Sequence, residues 1–440
     1  MKVPKTVLAA TIGGALALSS AGAGATSSFE TGPMGFSPIG ASATPTATPD
    51  SRGPWLVPDG YTQELVTGET SDRCGGTGLD IYGGGLDDWH DMNTVNETGR
   101  HAGRYLYTTH EVRLDAPGAD ATYPAGGAVS VTDLETCESR IIAQDPTWTA
   151  LDGIRWTPWG TVLFAEETEG GRLFELVPDA HDPMSGTVHD RPAVGRMAHE
   201  GIEIGTRGEI YVVDENRGQS TGGGGGVYKF VPDRRGDLSS GRLYQLSVNG
   251  ETTVGEGVGQ GSWLGPIDPQ AVRAATGTSY QRPEDLERIG QTLYVAVTEG
   301  TRGAAGENYD GRVLAIDLRS MAVSDFVKPG VNVPVETGAQ TGFDNPDNLA
   351  EGPDGKLWIV EDNVPSDIWV ANGRGGTART VGLFASLTDG EAEGTGIYFG
   401  TDPHTLFVNV QHSVHPDGDG TWAITRIADR DHGHSHSHHE

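Results

Sequence analysis

The chain has 440 residues, 66 of them glycine, and a formal net charge of −31 at pH 7. So acidic a surface repels nucleic acid and anionic membranes, and no nucleic-acid binding is expected. Strand-like runs far outnumber helical patterns, which sets helical folds aside and favours many short strands with tight turns.

Lys2 and Lys5 precede an apolar run, Val7 to Leu18, and small residues end at Ala23-Gly24-Ala25. This pattern predicts a cleaved signal peptide over 1–25 and export to the periplasm or the medium. The run is shorter than the ~20 apolar residues of a spanning helix, so no membrane anchor is expected. Residues 26–54 are rich in Ser, Thr, Ala, Pro and Gly and are predicted to form a flexible arm. Order is expected over 55–428. Tyr61 to Val66 is a lone strand without a neighbour and is expected to complete the last repeat. Cys74 and Cys137 are the two cysteines, and a disulfide or two free thiols are both open.

From residue 87 onward one unit recurs: acid, apolar run, glycine turn, apolar run, acid. Gln281 to Gly300 shows it most clearly, with Glu284 and Asp285 before Leu286–Ile289, Gly290 at the turn, and Glu299 after Leu293–Val297. It reads as a β-hairpin. Asp152, Glu200, Asp347 and Glu393 open similar hairpins, and Asp87, Asp88 and His90 precede Tyr105–His110. Third and fourth strands follow, so the six units predict an all-β, six-bladed β-propeller with four-stranded antiparallel blades and large loops. The interval Asn216 to Gln281, with Gly222–Gly226 and a helix-like patch at Asp268–Ala275, reads as an insertion or as a hidden seventh blade. Residues 429–440 form a histidine-rich tail, expected to be unstructured.

The two ends of an antiparallel hairpin lie together, so the acids before first strands and after second strands gather at one mouth of the channel. The first group is Asp152, Glu200, Glu284, Asp347 and Glu393. The second is Glu111, Glu166, Glu167, Asp214, Glu215, Glu299, Glu361 and Asp362. One such acid is ordinarily a solvated loop residue, but a converging ring repels itself unless it binds cations or protons. Oxygen-only ligands favour hard cations, and several Ca²⁺ ions are expected. Arg282 stands among these acids as a candidate clamp for an anionic ester, with Arg155 as a second substrate contact. The chain has no G-x-S-x-G elbow, H-E-x-x-H helix or P-loop.

Thr157-Pro158-Trp159-Gly160-Thr161 with Glu166-Glu167, Gly195-Arg196-Met197-Ala198-His199-Glu200, Arg282-Pro283-Glu284-Asp285-Leu286, Asn345-Pro346-Asp347-Asn348-Leu349 and Leu406–His412 follow in an order that resembles the PhoX-type alkaline phosphatases. The resemblance implies a six-bladed propeller with iron and calcium at the channel mouth, hydrolysing phosphate monoesters. It implies Glu200 and Glu284 as metal ligands, Arg282 on the substrate phosphate with Glu284 beside it in catalysis, and Glu111, Glu167 and Glu393 at further metal positions. Family members carry a cysteine iron ligand where Asp152 stands here. They also carry Gln-His-Pro-Gly-Glu where this chain has Gln411-His412-Ser413-Val414-His415, and a twin-arginine leader. A carboxylate in place of a thiolate favours Ca²⁺ over Fe³⁺. The expected function is that of an exported, metal-dependent phosphomonoesterase acting on small phosphorylated molecules, with a monomer as the expected state. A calcium-dependent propeller hydrolase of another class, such as a lactonase, and a non-catalytic calcium-binding propeller are the alternatives. The first of these needs the acid ring but not Arg282, and fold alone does not choose among them.

Overall fold

The computed structural model describes residues 28–83, 86–114, 123–216, 225–250, 257–298, 311–336, 341–415 and 418–427. The predicted leader, Glu299, Gly222–Gly224 and the histidine-rich tail lie outside them.

The apolar runs pair as antiparallel neighbours in six sets of four, arranged as a propeller. Blade 1 holds His90–Val95, Tyr105–His110, Ala128–Asp133 and Ser139–Gln144. Blade 2 holds Leu151–Trp156, Val162–Glu166, Leu173–Pro178 and Gly186–Asp190. Blade 3 holds Ile202–Ile204, Ile210–Val213, Val227–Arg234 and Asp237–Val248. Blade 4 holds Pro283–Ile289, Thr292–Val297, Arg312–Asp317 and Ala322–Val327, and blade 5 holds Pro346–Glu351, Leu357–Glu361, Asp367–Asn372 and Thr380–Leu387. Blade 6 takes Glu393–Phe399, Thr405–Gln411 and Gly420–Arg426, and its outer strand is Tyr61–Gly68 from the other end of the chain, with Tyr61 opposite Arg426. The second strand of each blade is buried on both faces, which is why it reads as a largely apolar run, while an outer strand such as Gly186–Asp190 is largely exposed.

The hydrogen-bonded sheets number five among the described residues, because Gly259–Ile267 joins two blades. It pairs with Asp237–Val248 on one side and, at Gly259 and Gln260, with the outer strand of blade 4 on the other. The long interval before Gln281 therefore supplies blade 3's third and outer strands and this bridging strand, and its helix-like patch is one short 3₁₀ turn, Val272–Ala274.

Residues 28–54 differ from the free arm that their composition predicts. Phe29, Met34 and Phe36 are buried in one core cluster with Trp358 and Phe384 of blade 5. Trp55–Leu56 then pairs with Leu387 and Ser386 at that blade's outer edge. Cys74 and Cys137 form a disulfide, which ties the segment after the closing strand to a turn of blade 1. No helix among the described residues is long and apolar enough to cross a membrane.

Candidate active site

Four of the six inner strands begin with the same local device. Trp89, Ala150, Arg282 and Asn345 immediately precede the first strands of their blades and hold positive φ angles of 46°, 47°, 52° and 40°. Their carbonyls accept N–H bonds from Glu111, Glu167, Thr298 and Asp362 at 3.0, 2.7, 2.9 and 2.9 Å. Ala198 accepts from Glu215 in the same way at 3.0 Å. Five of the six hairpins are thus laced shut at the mouth, and in four of them the donor is the acid that follows the second strand, held beside the start of the first.

A bulge follows. The ladder shifts register between His90 and Asn93, Leu151 and Ile154, Pro283 and Leu286, Pro346 and Leu349, and Thr395 and Tyr398. Without a bulge, residues i and i+3 face opposite sides of a strand; with one, both can face the channel. Asp152 and Arg155, Glu284 and Glu287, and Asp347 and Ala350 accordingly line the channel at two levels, the first of each pair in one cavity and the second in another, and Glu200 and Glu203 of blade 3 divide the same way without a register shift. Neighbouring blades touch at the bulges: a Cβ on Gly153 would lie 1.6 Å from the Glu200 carbonyl oxygen, and one on Gly201 would lie 2.6 Å from the Cα of Asp285. This close approach sets Asp152, Glu200 and Glu284 side by side.

The upper cavity has a volume of about 260 Å³. Among the described residues nine carboxylates and two guanidiniums line it. The acids are Asp91, Glu111, Asp152, Glu167, Glu200, Glu284, Asp347, Asp362 and Glu393, and the bases are Arg113 and Arg282. Carboxylate oxygens of Glu200, Glu284 and Asp347 lie within 4.8 Å of one another, as do those of Glu167, Glu200 and Glu215, so Glu200 belongs to two triads. Asp152 Oδ1 and Glu200 Oε2 are buried with no hydrogen-bond donor. Burial first, and then the carboxylates of Glu284, Asp152 and Asp347, push the Glu200 pKa well above the usual carboxylate range. Burial and neighbouring acids do the same to Asp152, and Glu284 is raised to about 7, mainly by burial.

Arg282 is anchored by one edge. Its Nε lies 2.6 Å from Glu215 Oε1 and 3.0 Å from Glu284 Oε1, and Nη1 stands 3.7 Å from Asp362. Arg113 pairs with both Glu111 and Glu167. Thr395, Gln411, Trp89 and His412 complete the lining; the Trp89 and His412 ring centroids are 4.4 Å apart, and His412 Nε2 is 3.5 Å from Glu393.

The expected residues Glu111, Asp152, Glu167, Glu200, Arg282, Glu284, Asp347 and Glu393 are all brought together here. Arg155 is not. It lies in the lower cavity, of about 420 Å³, where it pairs with Glu203 at 2.6 Å and Glu287 at 3.1 Å. Three residues along a strand is roughly 10 Å, which carries Arg155 toward the other end of the channel. Glu166, Asp214 and Glu361 of the second expected group also turn away from the cavity, because successive strand residues face opposite sides. Glu166 instead holds Arg172 at 2.6 Å, and Asp214 accepts the Ala198 N–H at 3.2 Å. Asp91 and Arg113 are site residues that the sequence reading missed. The signal for Asp91 was its place as second residue of an inner strand, the place also held by Asp152, Glu284 and Asp347. Arg113 follows Glu111 by two residues, and no pattern in the other repeats marks it.

The family model for alkaline phosphatase PhoX matches residues 171–414. Among curated proteins none matches the chain. Among solved structures, Pseudomonas fluorescens PhoX in complex with vanadate, a transition state analogue, superposes with a TM-score of 0.62 at 18% identity, over 89% of this chain and 98% of that one. The holo form of the pyranose dehydrogenase PQQ domain from Coprinopsis cinerea gives a TM-score of 0.51 at 11% identity, over 88% of this chain and 100% of that one, and shares the fold. The matched segment spans blades 3 to 5 whole and carries the loops that supply Glu200, Arg282, Glu284, Asp347 and Glu393. The chain belongs to the PhoX alkaline phosphatase family.

Proposed function

We propose that this protein is an exported, calcium-dependent phosphomonoesterase that acts in the upper cavity on small phosphorylated molecules, as a monomer. One observation carries the reading: nine carboxylates face two guanidiniums in one cavity, and two of the buried oxygens lack any donor. A cluster so charged needs bound cations. The donors fit hard ones, because carboxylate oxygens dominate and both cysteines are bonded to each other, so no thiolate is available for iron. Glu200, Glu284 and Asp347 would hold one ion and Glu167, Glu200 and Glu215 another, with Glu111, Asp152 and Glu393 beside them. Calcium bound there supplies positive charge that polarises a phosphoryl oxygen and offsets the charge of the ring.

The chain's own residues do the rest. Arg282, fixed through Nε by Glu215 and Glu284, offers the terminal edge of its fork to the phosphate oxygens of an ester. Glu284 therefore serves twice, as anchor of Arg282 and as a member of a cation triad. Trp89 and His412 at the lining meet the ester's alcohol portion. Below, Arg155 between Glu203 and Glu287 ties blades 2, 3 and 4 across the channel. The Pseudomonas PhoX is in complex with vanadate, a transition state analogue, which supports this reading. In the mature chain residues 55–428 are the catalytic propeller. The test is hydrolysis of an aryl phosphate by purified protein, with calcium and then with chelator, alongside a metal count. Calcium-dependent turnover is the expected result. Fully calcium-loaded protein without phosphatase turnover overturns the reading.

A further inference from the structure

A second group of carboxylates sits on blade 5, outside the upper cavity. Glu361 ends the blade's second strand and Asp367 opens its third, and both are wholly buried, with 0% of each exposed. The segment between blades 4 and 5 comes alongside: a bridge between Val335 and Phe343 sets Glu336 near Asp344. Glu361 accepts the Asp344 N–H through Oε1 at 2.8 Å, while its Oε2 is buried with no donor. Asn363, on the turn from Glu361 to Asp367, has its amide oxygen buried without a donor as well. Asp367 accepts the hydroxyl of Ser42, from the N-terminal segment, at 2.5 Å. Burial, followed by the carboxylates of Asp367, Glu336 and Asp344, drives the Glu361 pKa well above its ordinary range, and Glu336 rises to about 7 for the same reasons.

We propose that Glu361, Asp367, Glu336 and Asp344 form a separate structural site for a divalent cation of the calcium class, and that the bound ion fastens the N-terminal segment and the segment between blades 4 and 5 to blade 5. All the donors are oxygens, and Ca²⁺ accepts 6–8 of them in irregular geometry, including amide oxygens such as that of Asn363. The partnerless Glu361 oxygen, sealed from water, is the atom that most requires a cation. The ion would join the segment between blades 4 and 5 directly to blade 5, and would fix the Asp367 carboxylate that holds Ser42 of the N-terminal segment; a bound metal adds to folding stability in this way.

The competing account is that Glu361 is simply a neutral buried acid. Glu361→Gln distinguishes the two, because glutamine copies the neutral acid but cannot replace a carboxylate ligand. In mature protein loaded with calcium, this variant is expected to hold one calcium fewer per chain than wild type. It should melt a few degrees lower in calcium and at the wild-type temperature in chelator. Its kcat/KM on an aryl phosphate should stay within about twofold, since Glu361 touches neither cavity ligand triad. A wild-type calcium count with a wild-type melt in calcium overturns the proposal. Should Glu361→Gln fail to fold, Glu336→Gln, on the half-buried rim, gives the same count, and an unchanged count there also overturns it. Glu284→Gln separates this site from the upper cavity: it is expected to empty the central triad while the blade 5 calcium remains.

Discussion

Replacing Arg282 by lysine isolates what the guanidinium fork contributes. The charge is kept, and the backbone cost of φ 52° is the same for both side chains. What changes is the head group. In the wild type Nε is taken up by Glu215 at 2.6 Å and Glu284 at 3.0 Å, so only the terminal nitrogens remain for a ligand. A lysine ammonium between those two glutamates neutralises them but has no second edge to offer phosphate. The loss is one charge-assisted hydrogen bond, ~1.5–3 kcal/mol. At ~1.36 kcal/mol per decade, kcat/KM should fall roughly 10- to 100-fold. The assay is steady-state hydrolysis of an aryl phosphate in saturating calcium, with metal content and melting temperature measured on the same samples. Both of these should stay near wild type. A lysine variant with wild-type kcat/KM removes Arg282 from substrate binding. A variant that instead loses calcium would show that Arg282 acts through Glu284 and not on phosphate.

Three further outcomes follow from the same geometry. Glu200→Gln removes the carboxylate common to both triads and should lower the calcium count together with kcat by at least about 100-fold; an unchanged count in metal analysis would refute the shared role. Asp152→Cys puts a thiolate donor among the acids and should let protein made in iron-rich medium retain iron that wild type does not, whereas equal iron in both would show that residue 152 does not select the ion. Glu167 and Glu284 have pKa values raised to about 7, chiefly by burial, so in chelator the folded chain binds protons more tightly than the unfolded one. The stability they contribute is full below about pH 4.5 and is lost as pH rises through about 7. Thermal melts in chelator should therefore fall by several degrees from about pH 5 to about pH 8, and calcium should abolish the fall; a chelated protein that gains stability over that range contradicts the sign.

The ring of acids was legible because it rests on a rule of chain direction: the two ends of a hairpin coincide, whatever the blade. Asp152, Glu200, Glu284 and Asp347 needed nothing more. Arg155 was misplaced because the bulge between Leu151 and Ile154 turns residues three apart to the same side, and it stands one level too deep. Bulges leave no fixed residue signature, so this step is invisible until strand register is known. The N-terminal segment was misjudged for another reason. Its composition is that of a linker, yet Phe29, Met34 and Phe36 each find a place against blade 5, and sparse apolar residues weigh little in a compositional average.

The bulge also explains how an acidic chain can concentrate charge in one place without losing its fold. The inner strands of blades 1, 2, 4 and 5 are locked on both sides of the bulge, by the carbonyl that precedes the strand and by the ladder that resumes after it. The backbone at the mouth of blades 1 to 5 is therefore hydrogen-bonded before any cation arrives, and the repulsion among the carboxylates falls on side chains. Arg282 lies on this same locked backbone: its carbonyl accepts the Thr298 N–H at 2.9 Å while its side chain stands among the acids. Metal removal should then cost activity and melting temperature while leaving the blades assembled at neutral pH. Far-ultraviolet circular dichroism checks this, and a chelated protein that loses its strand signal at room temperature would show that the cations, and not the laced hairpins, hold the ring together.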